Sequence, residues 1–324
     1  MTARTLEPPL SRADDTVSVM IASGGRQSPQ KRRDRVAGML FVLPAAVFIF
    51  AFMLFPLVYS GYLSLTRYNF VRQSTPEFIG LDNFARALQD PIVLTAFANT
   101  AVYAVSYFVI VMVVSLSIAM MLFRKLRFST FYQSAIFMPI VVPLSLAGLI
   151  FVWILQPNYG LLNHLLANVF GLPGLAQAWL SDGTTAMAAI VVLSLWATIG
   201  FLTILFLSGL QAIPEEILEA AEIDGAGGWR RFTEIIIPSL RPTFVITGTW
   251  GVLHSLKVFV EPMVLTDGGP GTSTLVLYQH IYVTAFNYFD MGYASAIGYL
   301  LGALILALVG LNYVVSMWKA DKDV

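Results

Sequence analysis

Cysteine is absent from this chain of 324 residues, and charged side chains are scarce. Without a thiol the chain can form no disulfide bond, no thiolate metal site and no cysteine nucleophile. Charged residues make up 12% of the chain, whereas soluble domains carry about 25%. Hydrophobic residues make up 57%, too many for a water-soluble fold to cover with polar surface. The composition therefore predicts one integral membrane domain, and the zero net charge gives no field that would attract nucleic acid.

Catalytic and metal-binding patterns are also missing from the sequence. His164, His254 and His280 are scattered and lack the close spacing of metal ligands. The glycine-rich run 268–274 lacks the lysine and the strand, loop and helix context of a nucleotide site. No combination of serine, histidine and an acid indicates hydrolysis. We therefore predict that this chain is not an enzyme and has no catalytic residue, no metal site and no cofactor of its own.

Apolar runs follow one another along most of the chain after a polar start. Residues 1–35 are rich in Ser, Arg, Asp and Pro, which predicts a disordered tail. A helix needs roughly 20 apolar residues to cross a bilayer, so the runs predict an all-α protein with six transmembrane helices. A cleaved signal peptide, the alternative for the first run, would have an apolar region of only about 7 to 15 residues. The predicted spans are 36–65, 99–123, 131–155, 184–210, 242–265 and 291–318.

The distribution of Lys and Arg predicts the orientation of these spans. Of the 19 basic residues, 15 lie in the tail, the turn 124–127, the loop 212–241 and the end 319–324. The loops 156–183 and 266–290, on the other side, contain none. Cytoplasmic loops carry an excess of Lys and Arg, so both termini and the loop 212–241 are predicted to be cytoplasmic. Trp153 and Trp179 are interpreted as anchors at the membrane interface.

The loop 212–241 has the pattern of a short surface helix. Pro214 suits the first turn, and the acidic residues beside it favour the positive end of a helix. Gly225 supplies the permissive backbone that ends such a helix. A small apolar stripe beside the charges indicates that the helix lies against a partner; its members are Ile213, Ile217, Ala220, Ala221 and Ile223.

Residues of this loop resemble the signature of permeases from binding-protein-dependent ABC importers. The matching residues are Glu219-Ala220-Ala221, Gly225 after three further residues, Ile235 after nine, and Ile237-Pro238 after one. Ile237 departs from the family, which more often has leucine there, and the change is conservative. The fixed spacing over 20 residues in the expected loop makes the match specific, and the resemblance covers about 36–318. Further stretches resemble the sugar-permease branch, to which glycerol-phosphate permeases are similar: 78–84, 265–271, Tyr282, Ala285, Phe286 and 292–296.

The resemblance implies the type I permease fold of ABC importers and a place in the cell (inner) membrane of a bacterium or archaeon. It also implies four kinds of partner: a second homologous permease, two copies of a cytoplasmic ATPase that binds ATP and Mg, an extracytoplasmic solute-binding protein, and a sugar-like solute. The loop helix would be the coupling helix, docked in a cleft of the ATPase. The alternative is that Glu219 and Gly225 merely start and stop a surface helix. The implied docking residues are Glu219, Ala220, Ala221, Asp224, Gly225, Trp229 and Arg230.

Ionisable residues inside a span are costly, which makes them functional candidates. His254, Lys257 and Glu261 are spaced to lie along one helix face. Lys257 and Glu261 could form a structural ion pair, or all three could line a solute path. The resemblance places solute contacts in the fourth and fifth spans, where aromatic faces suit sugar rings. The candidate pathway residues are Thr198, Phe201, Trp250, Gly251, His254, Ser255, Lys257 and Glu261.

Two other kinds of membrane protein compete with this interpretation. A secondary transporter would work without an ATPase and would need buried charged relays in several spans, whereas only the fifth span has such a cluster. A membrane scaffold would use the loop 212–241 only for docking. Solute-dependent ATPase activity in a reconstituted complex separates these classes.

Overall fold

The computed structural model describes residues 29–124 and 127–318. The predicted tail up to residue 28 and the predicted end 319–324 lie outside the described residues. The two strands, β1 (Thr66–Arg67) and β2 (Glu77–Phe78), form one short antiparallel pair, so the predicted all-α class is confirmed. The α-helices are α1 (Pro29–Ile49), α2 (Phe55–Ser64), α3 (Asp82–Ala87), α4 (Pro91–Phe123), α5 (Ser129–Phe137), α6 (Leu144–Ile154), α7 (Leu161–His164), α8 (Gly183–Gln211), α9 (Glu215–Ile223), α10 (Gly228–Arg231), α11 (Ile237–Ser239), α12 (Arg241–Leu256), α13 (Val260–Leu265), α14 (Leu277–Tyr282) and α15 (Met291–Trp318).

Five stretches of the described residues are helical, long and apolar enough to cross a membrane. A sixth is the bent pair Ser129–Val141 and Leu144–Ile154 if that pair counts as one span. The five are Ala37–Ser64, Pro91–Phe123, Gly183–Gln211, Arg241–Leu265 and Met291–Val314.

The described residues divide into two compact units, one up to Tyr59 and one from Ser60 onward. In the first unit, a π-helical turn at Phe50–Leu54 follows α1. Pro56 lacks an N–H, and its ring would clash with the carbonyl of Phe52 in a regular helix. The wider turn just before Pro56 accommodates this clash.

The first helix also begins earlier than the sequence predicted. The predicted tail reached residue 35, but α1 starts at Pro29. Proline is favourable at a helix start, and Lys and Arg are good helix formers. The segment 29–35 is therefore helical although it is too polar to count as part of an apolar run.

The third predicted span, 131–155, is divided into two helices. A 3-10 turn at Met138–Val141 links α5 to α6, and the two helices are bent by 94°. Pro139 and Pro143 flank this turn. Proline cannot donate a helical hydrogen bond and disfavours the helical conformation of the residue before it, so a straight helix cannot continue through this stretch.

In the second unit, α8 packs in parallel with α4. The hydroxyl of Tyr103 in α4 donates to Ser194 in α8 at 2.8 Å, and that of Ser115 donates to the carbonyl of Ile199 at 3.2 Å. Both helices run toward the loop 212–241. We call that end of the second unit the loop end and the opposite end the far end.

A close backbone contact fixes α8 against α5. A Cβ atom added at Gly200 would collide with the carbonyl oxygen of Ile136. Only glycine allows α5 to approach α8 this closely. Toward the loop end, Phe206 and Leu210 of α8 are buried with Leu122 of α4.

The far-end loop 65–90 is charged and tied down by polar contacts. The buried Asn83 side chain donates to the carbonyls of Ser64 and Thr66 at 3.0 and 2.8 Å. The guanidinium of Arg86 lies 3.1 Å from the carboxylate of Asp290. This loop is therefore anchored to the segment that leads into α15.

Candidate functional site

Helix α9 lies in the loop 212–241, directly after α8. Pro214 precedes it in an extended conformation, and Glu215 and Glu216 occupy its first turn, where carboxylates favour the positive helix end. The helix ends at Asp224, and Gly225 follows with a φ of 74°. The amides of Gly225 and Ala226 donate to the carbonyls of Glu222 and Ala221 at 3.1 and 2.9 Å. These bonds satisfy carbonyls that the helix end would otherwise leave free.

The apolar residues of α9 lie on two faces rather than in one stripe. Leu218 and Ala221 face the protein, and Ala221 is buried while Leu218 packs against the cluster that contains Phe206. Ile217 and Ile223 are exposed. The predicted stripe is therefore divided: Ala221 is buried, whereas Ile217, Ala220 and Ile223 are exposed, because Ala221 and Ile223 are about 200° apart around a helix with 3.6 residues per turn.

The exposed side of α9 combines apolar and acidic side chains. Ile217, Ala220 and Ile223, spaced by three residues, lie on this side together with the exposed Glu216 and Glu219. A partner that approaches the loop end would meet these side chains first.

The chain after α9 presents further exposed groups at the loop end. Trp229 is exposed and contacts Phe232, with ring centroids 5.7 Å apart. The guanidinium of Arg230 lies 2.8 Å from the carboxylate of Glu234, and this hydrogen bond raises the pKa of Arg230. Arg230 is therefore charged at any physiological pH. Beyond this point, Ile236 and Leu240 return to the buried cluster with Phe206.

A cavity of about 930 Å³ separates α9 from the end of α4. Apolar side chains of Met120 and Phe123 line one part of it, and Glu219 and Arg231 line another. The guanidinium of Arg231 lies 3.4 Å from the carboxylate of Glu222 in α9. The inner face of α9 therefore contacts the spans through Leu218. Beside this contact, the cavity leaves open space between α9 and the end of α4.

The candidate pathway residues of the fourth and fifth spans form a connected aromatic and polar cluster. The ring of His254 stacks on Trp250 with centroids 4.8 Å apart, and Trp250 contacts Phe201 at 5.1 Å. Thr198 shares a 2.9 Å hydrogen bond with the hydroxyl of Tyr107. Tyr107 also contacts the ring of His254 at 5.2 Å. The cluster therefore joins α4, α8 and α12.

Glu261 is held inside this cluster rather than beside Lys257. It is 2% exposed, and its Oε1 accepts a 2.9 Å hydrogen bond from Ser194. The hydroxyl of Tyr103 in turn donates to Ser194, and Nε2 of His254 lies 3.8 Å from the same Oε1. Lys257 is exposed and forms no ion pair with Glu261. The ion pair considered from the sequence is therefore not formed.

A break in the fifth span explains this difference. Helix α12 ends at Leu256, and α13 begins at Val260. Pro262 lies in the first turn of α13, where its missing N–H costs nothing; in a continuous helix it would clash with the carbonyl of Val258. The prediction that His254, Lys257 and Glu261 share one helix face assumed a continuous helix and is wrong for that reason.

Two other candidates serve packing in this conformation. Ser255 is buried and donates to the carbonyl of Val252 in its own helix. A Cβ atom at Gly251 would lie 3.0 Å from the ring of Phe108, so this glycine lets α4 and α12 approach.

Sequence reasoning missed three residues of the cluster. Tyr103 and Tyr107 in α4 and Ser194 in α8 are fully buried and hydrogen-bonded. A signal was present, because two tyrosines spaced by four residues lie on one face of an otherwise apolar span.

Comparison with known proteins gives consistent matches over most of the chain. Residues 112–318 match the family described as "Binding-protein-dependent transport system inner membrane component". The probable ABC transporter permease protein YurN of Bacillus subtilis is 36% identical over 280 residues, which are 85% of this chain and 94% of that protein. The sulfoquinovosyl glycerol transport system permease protein SmoG of Agrobacterium fabrum is 34% identical over 281 residues, 85% of this chain and 88% of that protein.

A solved structure shares the fold. It is a bacterial alginate ABC transporter in complex with an alginate pentasaccharide-bound periplasmic protein. The match has a TM-score of 0.76 at 20% sequence identity and covers 89% of this chain and 96% of the other.

Proposed function

This chain belongs to the family of inner membrane components of binding-protein-dependent transport systems, and from that premise we propose that it forms half of the membrane pathway of an ABC importer for a sugar or related polyhydroxylated solute. The resemblance drawn from the loop signature is thereby confirmed. The family is one of transport permeases. Hydrolysis of ATP, with Mg, is assigned to a separate partner subunit.

One observation carries the proposal of an external ATPase: α9 presents most of its surface to solvent while its inner face contacts the spans. Glu219 and Ala220 are exposed, whereas Ala221 is buried. We assign the exposed side to a cleft of the ATPase, with Glu219 and Arg230 as its charged contacts. Asp224 and Gly225 end the helix and set its direction, and Trp229 would enlarge the surface that contacts the ATPase.

Movement of α9 would reach the pathway through its inner face. Leu218 packs against the cluster that contains Phe206 of α8 and Leu122 of α4. A displacement of α9 by the ATPase would therefore shift α8 and α4 together. Helices α4 and α8 also meet at Tyr107 and Thr198, within the cluster assigned to the solute.

The solute would contact the aromatic and exposed members of this cluster. Trp250 and Phe201 offer faces to sugar rings, and Lys257 offers a donor from the break in the fifth span. His254 and Thr198 would bind hydroxyl groups when the spans open. Glu261, Ser255 and Gly251 are too buried to touch a solute in this conformation, so we assign them to holding α12 and α13 in place.

The remaining partners follow from the family and from the neighbouring structure. A second permease would complete the pathway, and two ATPase copies would dock at the loop end. A solute-binding protein would deliver the solute at the far end, a proposal supported by the alginate transporter of the same fold, which is in complex with an alginate pentasaccharide-bound periplasmic protein. We place both termini and the loop 212–241 in the cytoplasm and the spans in the cell (inner) membrane.

A charge reversal on α9 tests this proposal. In the complex reconstituted into vesicles with its binding protein, Glu219→Lys should abolish most solute uptake while the permease still assembles in the membrane. Glu222→Lys, an equal change on the side of the same helix that faces Arg231 of this chain, is the matched control. Uptake by Glu219→Lys at the parent rate would reject the docking role, and uptake without ATP would favour a secondary transporter. A panel of neutral sugars, acidic sugars and glycerol phosphate identifies the solute class.

A further inference from the structure

The loop before α8 contains no formal charge. Residues 155–181 include no Asp, Glu, Lys or Arg, although about a quarter of the residues in a soluble domain are charged. The loop lies at the far end because it leads into the start of α8 at Gly183. We call residues 155–181 the charge-free loop.

The charge-free loop is fixed by internal hydrogen bonds and nevertheless exposes apolar side chains. The side-chain amide of the buried Asn163 donates to the carbonyls of Pro157 and Gln177 at 3.0 and 2.9 Å, and its oxygen accepts a 2.8 Å bond from the indole of Trp179. These bonds close the loop on itself. Six of its large apolar and aromatic side chains are nevertheless 48% to 69% exposed; they are Tyr159, Leu161, Val169, Phe170, Leu172 and Leu175.

This apolar surface continues the exposed face of α6. Leu146, Leu149, Ile150 and Trp153 are exposed and spaced along one side of that helix. A groove of about 690 Å³ follows, lined by Trp153 of α6 and by Pro157, Tyr159 and Leu161 of the charge-free loop. The exposed apolar stripe of α6 therefore continues directly into the charge-free loop.

The polar groups beside this surface are uncharged or aromatic. Asn168 pairs with the exposed His164 at 3.0 Å, and Trp153 and Tyr159 carry amphipathic rings. Tryptophan and tyrosine are enriched where a membrane meets water. The other far-end loop, 65–90, instead exposes Arg67, Arg72 and Glu77, as a loop in water should.

We propose that the charge-free loop lies in the bilayer interface at the far end, with the side chains of Val169, Phe170, Leu172 and Leu175 among the lipids. Binding at an interface requires an apolar face at the boundary between headgroups and acyl chains and a polar side toward water. The exposed apolar side chains supply the first, and the exposed His164 and Asn168 side chains supply the second. The charge-free composition and the rings of Trp153 and Tyr159 favour lipid as the occupant of this surface, and contact with a protein partner is the alternative that the following test distinguishes.

The absence of cysteine makes this proposal directly testable. Single cysteines introduced as Val169→Cys, Phe170→Cys and Leu175→Cys can carry a spin label in the otherwise unchanged full chain, assembled with its partners in lipid vesicles. Leu149→Cys, on the exposed face of α6, is the lipid reference, and Ser74→Cys, in the charged loop 65–90, is the water reference. Accessibility of each label to molecular oxygen and to a water-soluble nickel chelate is measured.

We expect the three loop labels to follow Leu149→Cys, with high oxygen and low nickel accessibility. Nickel accessibility like that of Ser74→Cys would place the loop in water and overturn the proposal. Low accessibility to both reagents would also overturn it, because a protein would then cover the loop. None of these results depends on ATP or on the solute, so failure here is distinguishable from failure of the proposed importer function.

Discussion

Helices α8 and α9 follow each other in the chain but differ in how much of each is buried and in what their side chains contact. In α8, 15 of 29 residues are buried, whereas α9 buries Ala221 alone among its nine. The side chains of α8 meet other spans on several sides, and those of α9 meet mostly solvent. The difference indicates a division of roles: α8 belongs to the packed interior of the second unit, and α9 is the surface that we propose docks the ATPase. Substitutions should therefore affect stability in α8 and docking in α9.

The largest loss of stability is expected from Gly200→Ala in α8. The added Cβ would collide with the carbonyl of Ile136. Because this obstacle is backbone and not the end of a flexible side chain, we expect a cost at the upper end of the overpacking range, about 3 kcal/mol. The measurement is the thermal unfolding midpoint of the purified chain in detergent. Gly298→Ala in α15, where a Cβ meets no atom within 4 Å, should leave the midpoint unchanged or raise it. Equal midpoints in both variants would contradict the close α5 contact.

A smaller loss is expected from Ser194→Ala, which removes the side-chain donor to the buried Glu261. Loss of one partner of a buried polar group costs about 1–3 kcal/mol. Ser208→Ala is the control in the same helix, because Ser208 is exposed and bonds only to the carbonyl of Ile204. Should Ser208→Ala lower the unfolding midpoint as much as Ser194→Ala, the buried hydrogen bond to Glu261 would contribute no more to stability than an exposed serine.

Gly225→Ala at the end of α9 should lower the free energy of unfolding still less. A side chain at φ 74° is strained by about 1–2 kcal/mol, and this local cost should appear chiefly as reduced uptake by the reconstituted complex. Gly227→Ala tests the cause, since neither position has an atom within 4 Å of an added Cβ and only Gly225 has positive φ. Parent-like uptake by Gly225→Ala would show that the turn does not need the left-handed conformation.

The smallest effect on stability is expected from Ile217→Ala on the exposed side of α9. The side chain packs little within this chain, so the unfolding midpoint should change by no more than the surface norm of about 0.5 kcal/mol. Binding of the partner ATPase should nevertheless weaken. Leu218→Ala is the opposite case, because it removes an inward contact with the spans and should lower the midpoint more than Ile217→Ala does. If the two variants exchanged these phenotypes, the faces of α9 would be assigned the wrong way round.

The sequence predicted the fold class and the family because both depend on local patterns. Apolar runs are read directly from composition, and the spacing of Glu219, Gly225 and Pro238 lies within a single loop. Helix α8, predicted over 184–210, is found at Gly183–Gln211 because the N-cap signal of Asp182 and the apolar run agree. Helix α4 begins eight residues before the predicted 99, since Asp90 caps it and Pro91 starts it although the first turns are less apolar.

Other features depend on tertiary contacts or on prolines whose effect was underestimated. Pro262 divides the fifth span and Pro143 the third, and both were visible in the sequence. That Glu261 turns toward Ser194 and away from Lys257 depends on where α8 lies relative to α13, which no local pattern specifies. That Leu218 packs inward while Ile217 stays exposed likewise depends on how α9 rests on α4 and α8.

The interruption between Leu256 and Val260 has one further consequence. A helix that stops leaves its last carbonyl oxygens without amide donors from the same helix, and hydrocarbon cannot replace those donors. These oxygens must therefore be surrounded by protein or water rather than by lipid. The break accordingly lies in the interior of the second unit, where Ser255, Leu256 and Val258 are each no more than 4% exposed.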